Sequence, residues 1–266
     1  AVKSLCSSKA LPAETQALQI MGQCFLGWDE AASITNLEPK DLAACVAELN
    51  VMQQRDLWVM AIIMALCTTQ NLQQRLEKLL AAWDDDLFIE KKIKQVIQHL
   101  VQGQAEKIQS SSVLDIAYHN NLSQLNGIDY LSREMFKKQM HAMKKGSNVP
   151  SLKRKFSFLA ELPSHTLGGS LYALLREAKL SLPGEAYGFA EFFLWHDIAH
   201  LLSGNNQKFD GELATNAFTA AFSKKAKYSI LLFGLLQWNL GIPLAVVAGT
   251  AENYLAKPEV MRQYCK

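Results

Sequence analysis

Cysteine is scarce in this sequence and shows no pattern. The five cysteines include no Cys-x-x-Cys pair, are odd in number and are scattered along the chain. A disulfide framework requires paired cysteines at regular spacings, so we expect reduced, buried thiols and an intracellular protein. The first residues, AVKSLCSSKALPAETQ, also lack the apolar core of a secretory signal.

A strong net charge and the common nucleotide motifs are missing as well. Lys and Arg number 27 against 25 Asp and Glu, a formal net charge of +2, so no global field favours nucleic acid. No Walker loop and no Gly-x-Gly-x-x-Gly after a strand occurs. No serine stands in a Gly-x-Ser-x-Gly elbow. We therefore expect no nucleic-acid partner and no serine-hydrolase or nucleotide-binding site.

Strand-like alternation of useful length is also absent, which predicts an all-α protein. We expect a helical bundle with an extra N-terminal helical domain. The apolar run over 56–69 (DLWVMAIIMALCTT) is too short to span a bilayer and predicts a buried central helix in that domain. The basic stretch over 144–155 (KKGSNVPSLKRK) predicts the boundary, giving residues 1–145, of unknown role, and 146–266. This stretch is either a solvated loop or a contact for anionic lipid.

The most informative segment runs from 189 to 222. His196 and His200 are four residues apart, so they share one face of a predicted helix, with Asp197 beside them. Nearly all the remaining positions from 189 to 202 are apolar, which predicts a helix that is buried all round. Two imidazoles and a carboxylate are costly in such a helix unless something satisfies them, as a divalent metal would. Hydrogen-bonded core histidines are the ordinary alternative.

The helix predicted after 204–211 supplies a fourth candidate ligand. Gly204-Asn205-Asn206 predicts the end of the first helix, and Asp210-Gly211 predicts a second turn. Glu212 then opens a helix that reaches about Phe222. If that helix folds back, His196, Asp197, His200 and Glu212 form a set of nitrogen and oxygen ligands suited to zinc, iron, manganese or cobalt.

The other long apolar run, 228–249 (YSILLFGLLQWNLGIPLAVVAG), is broken at its centre. Gln237, Asn239 and the Gly241-Ile242-Pro243 sequence argue against a transmembrane helix and predict two shorter helices. The composition of these two helices fits an ordinary pair of core helices as well as a pair of helices that lines a cavity near the metal. Upstream, Thr166 is a predicted helix cap, and Gly168 and Gly169 permit close approach of a neighbour or a ligand.

Three blocks of sequence together resemble one family. His-Asp-x-x-His, eleven residues and then Glu is similar to the signature of the coenzyme Q biosynthesis protein 4 family. The segment 162–169 (LPSHTLGG) resembles that family's Leu-Pro-x-x-Thr-x-Gly. The segment 241–244 (GIPL), followed by Gly249, resembles its Gly-Leu-Pro and later Gly. The resemblance covers roughly residues 150–255 and does not extend over residues 1–140.

The resemblance implies a role in ubiquinone biosynthesis. A divalent metal, zinc first, would be held by His196, Asp197, His200 and Glu212. The protein would bind a prenylated aromatic precursor and replace its ring carboxylate by hydroxyl, with Asp197 or Glu212 as the catalytic proton shuttle. The isoprenoid tail would lie in a groove for which the candidate residues are Thr166, Gly168, Gly169, Trp238 and Pro243.

Partners and location are implied in the same way. We expect an isoprenoid lipid ligand, peripheral membrane contact, other quinone-biosynthesis enzymes as partners and, as an open point, a homodimer. The location would be cytoplasmic at the inner membrane, or the matrix side of a mitochondrion. Three alternatives stay open: a non-catalytic lipid-binding scaffold, a helical interaction module with a structural metal, and a zincin-like metallohydrolase. In the last, Asp197 would replace the usual general-base Glu.

Overall fold

The computed structural model describes residues 1–7, 9–29, 34, 37–83, 91–110, 141–223, 227–244 and 249–265. Over these ranges the regular structure is helical, with no β-strand and one isolated bridge between Leu240 and Glu252. The all-α prediction is therefore confirmed for the described part of the chain.

The helices follow one another in a simple order. The α-helices are α1 (Pro12–Leu26), α2 (Leu42–Ala47), α3 (Val51–Ala65), α4 (Leu72–Ala81), α5 (Lys91–Val101), α6 (Ala105–Ser110), α7 (Pro150–Ser157), α8 (Leu167–Glu177), α9 (Leu194–Ser203), α10 (Phe209–Phe222), α11 (Lys227–Trp238) and α12 (Pro258–Cys265). Short 3₁₀ turns lie at Val2–Leu5, Phe158–Glu161, Glu191–Phe193 and Tyr254–Ala256.

The chain forms two compact units. The first combines Ala1–Asn121 with Gln207–Lys266, and the second is Leu122–Asn206. This grouping differs from the predicted division into 1–145 and 146–266, because residues 207–266 join the N-terminal helices. The reason is shared burial: apolar side chains of α11 and α12 lie in the same core as those of α1, α3, α4 and α5.

Helix α3 is the centre of the first unit, as its apolar sequence predicts. Asn50 caps it by accepting hydrogen bonds from the backbone N–H groups of Met52 and Gln53. Residues 61–66 are almost completely buried. A helical segment that is apolar on every face must be surrounded on every face, and α3 packs against the first 3₁₀ turn, α1, α4 and α11.

The predicted break after α11 is confirmed, and polar side chains hold it in place. Gln237 donates to the carbonyl of Gly249 at 2.9 Å and accepts from the N–H of Leu244 at 2.6 Å. Asn239 donates to the carbonyl of Leu66 at 2.6 Å. The described residues after the break, 239–244, are not helical, and 245–248 lie outside the described residues. No helix in the described ranges is long and apolar enough to cross a membrane.

A buried ion pair joins α1 and α4. Arg75 Nη1 lies 2.8 Å from Glu14 Oε1, and both side chains are fully buried. Arg75 also donates to the carbonyls of Ala65, Thr68 and Gln70. Buried charge is costly unless it is paired and hydrogen-bonded, and here both groups are.

The second unit has its own small core, formed mainly by leucines of α8, α9 and their flanking turns. Helix α8 begins at Leu167, because Thr166 accepts a hydrogen bond from the N–H of Gly169 at 3.1 Å. This confirms Thr166 as the predicted cap. A side chain at Gly169 would lie 2.1 Å from the carbonyl oxygen of Pro163, so glycine is needed there for the chain's own turn.

Candidate metal centre

Helix α9 carries the two histidines and is buried on one side only. Asp197 and His200 are buried, whereas the side chains of Trp195 and Leu202 are 44% and 62% exposed. Positions 195 and 202 are seven residues apart and therefore lie along one stripe of the helix. The prediction of a helix buried all round was wrong, because that stripe is uncovered despite its apolar sequence.

The two histidines are arranged as a pair. Their rings are perpendicular, with centroids 4.7 Å apart, and the two Nε2 atoms are separated by 3.1 Å. His200 is only 2% exposed, while His196 is half-buried. The other ring nitrogen of His200, Nδ1, lies 3.2 Å from the backbone carbonyl oxygen of Asn205. One nitrogen of each ring therefore faces the same point.

The turn between α9 and α10 is shorter than predicted. Gly204 ends α9 in the left-handed conformation, with φ of 69°, as expected for that position. Helix α10 begins at Phe209, so Asp210-Gly211 belongs to its first turn and the predicted second turn is wrong. The extended Lys208 starts the helix instead, and its carbonyl accepts from the N–H of Glu212 at 2.7 Å.

Glu212 consequently lies in the first helical turn of α10. Its carboxylate and that of Asp210 are placed favourably with respect to the helix dipole. One ligand atom from each of His196, His200 and Glu212 lies within 4.8 Å of the other two. Among the described residues, this trio is the group whose geometry can hold a metal ion.

The donor set and its spacing fit a metal ion. Two imidazole nitrogens and one carboxylate oxygen are common ligands of zinc and of other first-row metals. An ion bound tetrahedrally at about 2.1 Å from two nitrogens separates them by about 3.4 Å, close to the 3.1 Å between the Nε2 atoms. The 4.8 Å limit for the trio exceeds that ideal separation by about 1.4 Å, which a change in the flexible Glu212 side chain can supply.

Asp197 stands outside this group. It is adjacent to His196 on α9 and buried, with 8% of its surface exposed, but it does not belong to the trio of possible ligands. A position next to His196 lies about 100° around the helix from it, which explains why both residues are not brought to one point. Its predicted roles as ligand and as proton shuttle stay predictions.

The predicted groove residues have identifiable packing environments. Thr166 and Gly169 form the cap and turn already described, and a Cβ at Gly168 would lie 2.4 Å from a methyl carbon of Leu162. In the first unit, Trp238 is buried with its ring edge against Phe233, and Pro243 is exposed. The contacts of Thr166, Gly168 and Gly169 explain these residue types without a lipid, and the groove stays a prediction.

Sequence reasoning missed the contact between Asn205 and His200, because it involves a backbone carbonyl. The only signal was the Gly204-Asn205-Asn206 sequence, which was interpreted as a helix end alone. It also missed the ion pair between Lys155 and Glu191. Both residues belong to the second unit, and Glu191 lies three residues before the start of α9. That pair converts one cation of the predicted basic linker into a structural contact.

The cysteines agree only in part with the expectation of reduced, buried thiols: Cys6, Cys67 and Cys265 are buried, whereas Cys24 is exposed and Cys45 is half-buried. All five are free. Burial raises the pKa of Cys6 to about 11 and the pKa of Cys67 and of Cys265 to about 12. High thiol pKa values make these three side chains poor nucleophiles and poor metal ligands at neutral pH, which leaves the histidine pair as the stronger candidate site.

Comparisons of the chain with protein-family models, with curated proteins and with solved structures find no match in any of the three.

Proposed function

We propose that this protein binds a divalent metal ion through His196, His200 and Glu212. The observation that carries the proposal is the convergence of two imidazole nitrogens, 3.1 Å apart, with one carboxylate oxygen inside a 4.8 Å group. Imidazole pairs from residues i and i+4 of one helix, joined by a carboxylate from a following helix, are a recurrent zinc arrangement.

Zinc is the ion that we propose, with iron, manganese and cobalt as the other metals that suit two nitrogens and one oxygen. Three protein ligands leave at least one coordination position for water or substrate. Within the described ranges no fourth His, Cys, Asp or Glu joins the group. This favours a site that acts on a ligand over a closed structural site.

We further propose that the ligand is a prenylated aromatic acid of quinone biosynthesis. The support is the order and spacing of three sequence blocks, from the Leu-Pro-x-x-Thr-x-Gly segment to Gly249. Replacing the ring carboxylate by hydroxyl releases carbon dioxide. With water as the oxygen source it also releases two electrons, which an oxidant such as dioxygen must accept. The metal, when bound, would supply Lewis-acid stabilisation of the substrate's oxygens.

The chain's own residues have separate tasks in this proposal. His200, buried at 2% exposure, fixes the position of the site. His196 and Glu212 are half-buried and leave a path for a ligand to enter. Asp197, buried beside the pair, is the candidate to accept the proton that a carboxylic acid or water must lose. A carboxylate in that role acts through short proton transfers and needs no place among the metal ligands.

The test measures the metal content of the purified protein and the lipid that co-purifies with it. We would purify the wild type, a His196→Ala/His200→Ala double variant and a His165→Ala control, in which an exposed histidine of the same unit is changed. Elemental analysis would count metal, and mass spectrometry of organic extracts would identify co-purified lipid. We expect about one metal per chain in the wild type and control, loss in the double variant, and a prenylated aromatic molecule with the metal-loaded protein.

The two halves of the proposal can fail separately. Metal without any prenylated molecule would contradict the quinone-pathway assignment and favour a hydrolase or a structural site. A prenylated molecule without metal would favour a lipid-binding scaffold. Absence of metal after loading with each of the four candidate ions would refute the metal site itself.

A further inference from the structure

The tautomer of the His200 ring is determined by the contact of the ring with the backbone. Its Nδ1 lies 3.2 Å from the carbonyl oxygen of Asn205, a distance typical of a weak hydrogen bond. A carbonyl oxygen can only accept a hydrogen bond, so Nδ1 must carry the proton. In a neutral imidazole the lone pair then lies on Nε2, the nitrogen that faces His196.

We infer that Gly204 is a positioning residue that, through the carbonyl of Asn205, holds His200 as the Nδ1–H tautomer with Nε2 ready to bind metal. The tautomer follows from the geometry alone, and only its purpose rests on the proposed metal site. Metal-binding histidines commonly donate their second ring nitrogen to a carbonyl or carboxylate, which fixes the ring and raises its basicity.

The local backbone explains why glycine is at this position. Gly204 has φ of 69°, and nothing lies within 4 Å of where its Cβ would be, so glycine is required for backbone conformation and not for space. In that conformation the chain turns sharply after α9 and directs the next carbonyl back to the ring. The turn is supported by Ser203, whose hydroxyl donates to the carbonyl of His200 at 3.3 Å and accepts from the N–H of Asn205.

The same contact assigns the other ring. With the lone pair of His200 on Nε2, the 3.1 Å contact to His196 Nε2 requires that His196 supply the proton between them. His196 is then the Nε2–H tautomer in the metal-free protein. Metal binding would displace that proton, because a ligating nitrogen carries none. His196 would change tautomer on loading, and His200 would not.

The experiment is ¹⁵N NMR of the imidazoles in metal-free wild type at pH 8. His196→Gln and His200→Gln variants assign the two rings. We expect His200 with protonated Nδ1 and unprotonated Nε2, and His196 with the opposite pattern. A protonated Nε2 and unprotonated Nδ1 on His200 would overturn the inference, whether or not the protein binds metal.

A matched pair of variants tests the role of Gly204. Gly204→Val forces a β-branched residue into a left-handed conformation. Gly103→Val does the same at the end of α5, where φ is 66° and the space is equally open. Both variants should lose similar stability. We expect only Gly204→Val to mix the His200 tautomers and to weaken Zn²⁺ binding by about 10- to 100-fold.

The failures are distinguishable. Equal Zn²⁺ affinity and an unchanged His200 tautomer in Gly204→Val would show that the turn is only structural. If the wild type binds no Zn²⁺, the proposed function fails, while the tautomer in the metal-free protein still decides the inference. If Gly204→Val does not fold, Gly204→Ala and its match Gly103→Ala, which strain the same left-handed positions less, take its place in the tautomer and Zn²⁺ measurements.

Discussion

Removing one member of the buried Glu14–Arg75 pair should destabilise the first unit strongly. In Arg75→Met, the Glu14 carboxylate stays buried without its ion-pair partner, and three carbonyls that accepted from Arg75 lose their donor. Breaking one side of a buried pair typically costs about 3–5 kcal/mol. We expect a loss of that size in the free energy of unfolding from urea titrations followed by circular dichroism.

A double variant makes this prediction sharper. Glu14→Leu combined with Arg75→Met removes both charges, and such replacements are often neutral or stabilising. We therefore expect the double variant to be more stable than Arg75→Met alone, with a coupling free energy of about 2 kcal/mol or more. Additive losses from the two substitutions would refute the pair as an energetic unit.

The pair also predicts how stability depends on pH. Burial raises the pKa of Glu14, but hydrogen bonds from Leu11, Ser7 and Arg75 outweigh it, so the net pKa is lowered from 4.5. A depressed folded-state pKa contributes stability that is present above the unfolded value and is lost as pH falls through the folded value. The wild type should thus lose stability below about pH 4.5 more steeply than the double variant. Parallel acid transitions would contradict this.

Three further predictions concern the core, the turn before α8 and the thiols. Asn239→Leu should cost about 2 kcal/mol or more in thermal or urea unfolding, because it leaves buried backbone groups unsatisfied; a loss below 0.5 kcal/mol would contradict that role. Gly169→Ala places a methyl 2.1 Å from the carbonyl oxygen of Pro163 and should cost about 1–3 kcal/mol, so an unchanged melting temperature would count against the turn. Dithionitrobenzoate at pH 8 should label exposed Cys24 quickly and buried Cys67, whose pKa is raised to about 12, only on unfolding; equal rates would contradict the burial.

Local sequence patterns predicted the elements whose causes are local. The apolar run of α3 indicates a surrounded helix, Thr166 supplies a side-chain cap, and Gly241 and the following Pro indicate a break. The spacing of His196 and His200 likewise places two imidazoles on one helical face, because four residues approximate one turn. Each of these signals lies within a single short segment of the chain, so no tertiary information is needed.

Features that depend on distant contacts were not predictable in the same way. Glu14 and Arg75 are 61 residues apart, and each occurs in a sequence that also suits a solvated helix face. Trp195 is the opposite case: its apolar side chain predicts burial, but it is exposed in the structure. Helices α11 and α12 belong to the N-terminal core because α11 packs against α3 and α5 and α12 packs against α1. No sequence pattern within a single helix indicates these partners.

The most direct test of the proposed metal centre is X-ray absorption spectroscopy of the protein loaded with one equivalent of Zn²⁺. We expect two imidazole nitrogens and oxygen ligands at about 2.0–2.2 Å, with one imidazole lost in His200→Ala and both retained in His165→Ala. Failure to bind one equivalent of Zn²⁺, or a zinc–sulfur distance of about 2.3 Å, would contradict a metal centre built from His196, His200 and Glu212.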